Sequence, residues 1–132
     1  METTTAYYYS KTIDATLEEA EARVRDELQK EGFGVLTEID VTATLKKKLD
    51  VDFRPYKILG ACNPPAAHQA LQAEDKIGTM LPCNVIVQET EDGRTEIAAV
   101  DPVASMQAVE NEALHTVAED IRNRLRTVID NV

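Results

Sequence analysis

The chain has 132 residues, 43% of them hydrophobic and 29% charged, which is the length and composition of one folded domain, residues 1–132, and not of a disordered segment. A net charge of -10 repels phosphate backbones, and the only local exception, Lys46 to Lys48, is too small for a nucleic-acid footprint. No apolar run approaches the ~20 residues of a membrane span, and METTTAYYYSK lacks the hydrophobic stretch of a signal peptide, so the chain reads as cytoplasmic.

Tyr7, Tyr9 and Ile13 in the β-rich stretch YYYSKTI predict a first strand running directly into a helix. Thr16 with Glu19 makes a capping box, Leu17, Ala20, Val24 and Leu28 recur at helical spacing, and Gly32 supplies a left-handed stop. Phe33, Val35, Thr37, Ile39 and Val41 then alternate with Gly34, Leu36, Glu38 and Asp40, which places one largely apolar row on one face of a second strand. Leu45 and Leu49 predict a short amphipathic helix with the three lysines as its solvated face.

After Pro55, YKILGAC predicts a third strand, and Asn63-Pro64 gives an N-cap and a first-turn proline for a helix through Leu71. Cys83 to Glu89 and TEIAAV predict a hairpin closed by Asp92-Gly93. From about Asn111, the residues Leu114, Val117, Ala118, Ile121, Leu125, Val128 and Ile129 form the longest helical stripe in the chain. The expected fold class is α+β, a mainly antiparallel sheet of about five strands with helices packed on one face.

Two residue pairs carry what chemistry the sequence offers, Cys62-Asn63 and Cys83-Asn84, which hold both cysteines of the chain. A reducing compartment favours free thiols, a metal site or redox chemistry over a structural disulfide. Cys62 immediately precedes a predicted helix start, where the helix dipole and unpaired backbone N–H groups favour a thiolate or an anion. The plainer alternative is a small, inert, buried residue, since cysteine is among the most buried types. With His68 and Met80, the two cysteines can be written as a soft-metal set, although the 21-residue gap between them matches no paired metal-binding signature. Asn84 is unusual in a strand, and His115 is expected on the solvated edge of the last helix. No Gly-rich phosphate loop, H-E-x-x-H or G-x-S-x-G occurs, so motifs assign neither a reaction nor a cofactor.

FGVLTEIDVTATLKKKLDVDFRPYKILGACNPPAAHQAL followed by IGTMLPCNVIVQE resembles the bacterial and archaeal DUF302 family over nearly the whole chain. The resemblance implies a compact α+β homodimer and brings no established activity. The matching motif positions are Cys62, Asn63, Pro64, Leu81, Pro82, Cys83 and Asn84. Three readings stand at this point. In the first, a homodimeric module binds a small ligand or soft metal through the two Cys-Asn segments. In the second, a thiol enzyme or redox sensor uses Cys62 as reactive thiolate and Cys83 as its resolving partner. In the third, an interaction domain buries both cysteines in its core.

Overall fold

A computed structural model of the chain describes residues 3–4 and 7–132; the N-terminal stretch read above as lacking a signal segment lies partly outside them. Among the described residues, no helix is long and apolar enough to cross a membrane. The elements in order are β1 (Thr3–Thr4), β2 (Tyr8–Ile13), α1 (Leu17–Lys30), β3 (Gly34–Asp40), α2 (Val41–Leu49), β4 (Tyr56–Cys62) and α3 (Pro64–Ala73). A 3₁₀ turn (Asp75–Met80) leads to β5 (Cys83–Glu89), β6 (Thr95–Val100), the short α4 (Pro102–Ser105) and α5 (Glu112–Asn131). The strands form one sheet in the order β1-β2-β6-β5-β4-β3, each neighbouring pair antiparallel. The five expected strands are β2 to β6; the two-residue β1 pairs with β2 at the edge.

Local chemistry accounts for the element boundaries. The Thr16 hydroxyl accepts from Glu19 N–H while the Glu19 carboxylate accepts from Thr16 N–H, both at 3.1 Å, so two otherwise orphaned donors of α1 are satisfied. Past α1 the backbone turns at Gly32 with φ +85°, a conformation that favours glycine. Asp40, Asn63, Asp101 and Asn111 cap α2, α3, α4 and α5 with their side-chain oxygens.

The core lies between the sheet and the helices α1, α3 and α5. Leu59, Val85 and Ala99 sit side by side across β4, β5 and β6, as do Val87 and Ile97, and all five are at most 1% exposed. Val24 and Leu28 of α1, Ala66 of α3 and Ile121, Leu125, Val128 and Ile129 of α5 pack against this row. The opposite face of the sheet presents Ser10, Ala98, Ile86 and Ile58 in one cross-strand row, with Tyr8 and Tyr56 near its ends. No helix of the core cluster covers it.

The second expected strand departs from its predicted pattern. Val35 pairs with Ala61 but Thr37 pairs with Gly60, so the register shifts between them. Two positions of equal parity in β3 therefore face opposite sides of the sheet, Val35 with the buried Ala61 and Ile39 with Ile58 on the open face. Leu36, inside the bulge, is 68% exposed, and Val41 begins α2 instead of completing the row. As an edge strand, β3 buries only one face's contacts in part, and the alternation in its sequence does not mark a single apolar side.

Candidate functional site

The antiparallel pairing of β4 with β5 places Ala61 opposite Cys83, so Cys62, the last residue of β4, lies beside the first residue of β5. Both thiols are free, Cys62 half-buried and Cys83 buried. Both residues line one cavity of about 330 Å³ bounded by the ends of these strands, by Ala66, Ala67, Ala70 and Leu71 of α3, and by Leu114, Val117, Ala118 and Ile121 of α5. Leu81, Pro82, Phe33, Leu36 and Met106 complete walls that are almost entirely apolar. The volume arises where α3 presents alanines to the long apolar stripe of α5, because methyl groups span less of the gap between helix and sheet than larger side chains would.

The start of α3 borders this cavity but offers fewer donors than a helix start usually does. Pro64 and Pro65 occupy the first two helical positions and carry no N–H. Ala66 N–H donates to Asn63 Oδ1 at 3.2 Å, and Ala67 N–H donates to the Asn63 carbonyl at 2.9 Å. Of the four amides that a helix start leaves without an intrahelical partner, those of Asn63, Pro64, Pro65 and Ala66, two are absent and the Ala66 N–H is committed to the cap. The Asn63 side chain is engaged as well, its Nδ2 donating to the Glu31 carbonyl at 3.3 Å. The expectation that this helix terminus favours an anion or a thiolate therefore rests on fewer donors than a helix start usually offers.

Burial pushes the Cys83 thiol up to about 11, and the neighbouring Cys62 adds to the shift. A sulfur only 8% exposed among apolar side chains cannot be solvated as an anion, so Cys83 is a neutral thiol at physiological pH. Thiolate is the form that ligates metals and attacks disulfides, which weakens a metal-ligand or resolving role for Cys83.

The remaining predicted residues lie elsewhere. Asn84 follows Cys83 along β5 and, by strand alternation, faces the open side of the sheet, where it borders a second recess, of about 380 Å³, with Tyr7, Tyr8, Tyr56 and Ile86. The two Cys-Asn segments therefore share their thiols and Asn63 on one cavity but not both asparagines. His68 is exposed on α3, and neither it nor Met80 lines the cavity, so the four-member soft-metal set is not assembled. Among the described residues no group of three or more His, Cys, Asp or Glu could hold a metal ion. His115 is half-buried rather than solvated, with its Nε2 buried and lacking a hydrogen-bond partner.

In the sequence the α5 wall residues Leu114, Val117, Ala118 and Ile121 stand out only as an apolar packing stripe, and the α3 alanines do not stand out as part of a site. Their signal is the run PPAAHQALQA, but alanines at helical spacing equally describe close helix packing.

Comparison with known proteins agrees with this architecture. The chain matches the family described as "Domain of unknown function DUF302" over residues 9–132. It is also similar to the crystal structure of an uncharacterized conserved DUF302 protein from Bacillus stearothermophilus, with 32% identity and a TM-score of 0.89 over 96% of this chain and 98% of that one. No curated protein matches. The chain belongs to the DUF302 family.

Proposed function

We propose that the domain is a binding module for a small, neutral, apolar molecule held in the cavity between α3, α5 and the adjoining ends of β4 and β5. The observation that carries this reading is the combination of an apolar cavity of about 330 Å³ with a bordering helix start that has lost two amides to proline and a third to its cap. Ligand sites are concave and mostly apolar, with few polar groups. Here the polar side chains on the wall are Asn63, whose amide is committed on both atoms, and two thiols. An anion would lose its hydration with nothing in return. A soft metal would rest on Cys62 and Cys83 alone, one of which is neutral at physiological pH.

Fluorescence titration with the neutral apolar dye Nile red, followed by competition with nonan-1-ol, tests this reading. Saturable one-to-one binding in the parent and its loss in Ala67→Phe, with an unchanged melting temperature, is the expected result. Ala67 lines the cavity from a half-exposed position, so the larger ring can fill the space without entering the main core. Equal binding by parent and variant would remove the cavity as the site.

We propose further that two copies associate through the open sheet face. Ile58 and Ile86 are adjacent, partly exposed members of a cross-strand row that no helix of the core cluster covers, and Ile39 beside them is 48% exposed. Light scattering should give twice the 14.6 kDa chain mass at micromolar concentration, and Ile86→Lys should reduce it to one chain. A parent mass near that of one chain would contradict the proposal. Two free thiols in one corner suit a reducing compartment such as the cytoplasm, which is where we place the domain.

A further inference from the structure

We infer that Cys62 makes this cavity a covalent acceptor for apolar α,β-unsaturated carbonyl compounds, the class formed when unsaturated acyl chains are oxidised. The inference rests on the apolar-binding reading and adds a chemical step to it. Three observations lead there. Cys62 is half-buried and is one of the residues that line the apolar cavity, at the end of β4 where the strand gives way to α3. Cys83, on the same wall, is 8% exposed, and no described residue hydrogen-bonds to its sulfur, leaving a neutral S–H able to donate weakly to a carbonyl oxygen. No amine or carboxylate lines the cavity, so nothing there diverts the carbonyl to imine formation or binds a competing ion.

The step is a conjugate addition. The Cys62 sulfur forms a bond to the β-carbon, the π pair of the C=C bond moves toward the α-carbon, and the proton lost from sulfur arrives at that carbon through solvent. Nothing is oxidised or reduced, and no group leaves. The cavity acts by holding the alkyl chain, which concentrates the electrophile beside the thiol.

Exposure of the reduced protein to trans-2-nonenal and, separately, to trans-2-butenal tests the inference, with adducts located by intact-mass and peptide mass spectrometry and both rates divided by those of free glutathione. The inference predicts one adduct per chain, on Cys62, forming at least about tenfold faster with the longer enal, since each added methylene gains from burial. It also predicts that nonan-1-ol slows the labelling, a readout on the parent chain that needs no variant to fold. Normalised rates that do not depend on chain length, or adducts confined to lysines or Cys83, would overturn it. If nonan-1-ol still binds by calorimetry in that case, the covalent step alone is wrong and the apolar-binding reading stands; if nonan-1-ol does not bind, both fall.

Discussion

Asn63 ties the end of α1 to the beginning of α3, donating from Nδ2 to the Glu31 carbonyl at 3.3 Å while its Oδ1 accepts from Ala66 N–H. The same Glu31 carbonyl accepts from Arg124 of α5 at 3.4 Å, so one oxygen at the end of α1 joins all three helices that cover the sheet. Cys62 precedes this junction directly, and the cavity wall formed by α3 takes its position from it.

Asn63→Ala removes both the cap and the tie, and should lower stability by about 1–3 kcal/mol. Asn63→Asp keeps an N-cap acceptor but sets a carboxylate against the Glu31 carbonyl, so it should recover only part of the loss. Urea denaturation of the three proteins checks this. Equal stability of Asn63→Asp and the parent would show that the Nδ2 donation contributes nothing.

Much of this corner was legible in the sequence, and particular residues explain the rest. Asn63-Pro64 announced a strand-to-helix junction because capping and proline chemistry are local. YKILGAC, CNVIVQE and TEIAAV were read at their observed bounds because central strands carry near-continuous apolar runs. β3 misled because its alternation crosses a bulge, and a bulge is decided by what the partner strand offers, here Ala61 and Gly60. Pro65 beside Pro64 was visible, yet its consequence depended on Asn63 committing the next donor. The cavity depended on the distance between α3 and α5, which sequence spacing does not encode.

Gly60 packs where no side chain fits. A Cβ there would run into Thr37 Oγ1 across the β3 bulge and into Pro82 Cγ at 2.7 Å, whereas one on Gly34 would meet nothing within 4 Å. Gly60→Ala should therefore cost about 1–3 kcal/mol, and Gly34→Ala should differ from the parent by less than about 0.5 kcal/mol. Thermal melts of the two variants separate a steric demand from a general intolerance of alanine in these strands.

Cys83 should make stability fall at alkaline pH. Its folded pKa of about 11 lies above the ~8.5 of an unfolded cysteine, so between these values the unfolded chain has lost the proton that the folded chain retains. The thiol leaves stability unaffected below about pH 8.5 and lowers it progressively as pH rises toward 11, by about 3 kcal/mol at full extent. Urea titrations under reductant at pH 8 and pH 10.5 should show a smaller alkaline loss for Cys83→Ala than for the parent. Identical losses would mean that the thiol ionises as readily in the folded chain as in the unfolded one.

The central claim is that the cavity between α3 and α5 accepts a neutral apolar molecule in preference to an anion, because its walls are apolar and Pro64, Pro65 and the Asn63 cap remove three of the usual donors at the helix start. Isothermal titration of the reduced protein with nonan-1-ol and with nonanoate isolates that claim, since the two share a chain and differ in charge. The account predicts saturable binding of the alcohol at one per chain and about a hundredfold weaker binding of the carboxylate, the cost of burying an ionised group without partners. Nonanoate binding as tightly as nonan-1-ol, or more tightly, would contradict it.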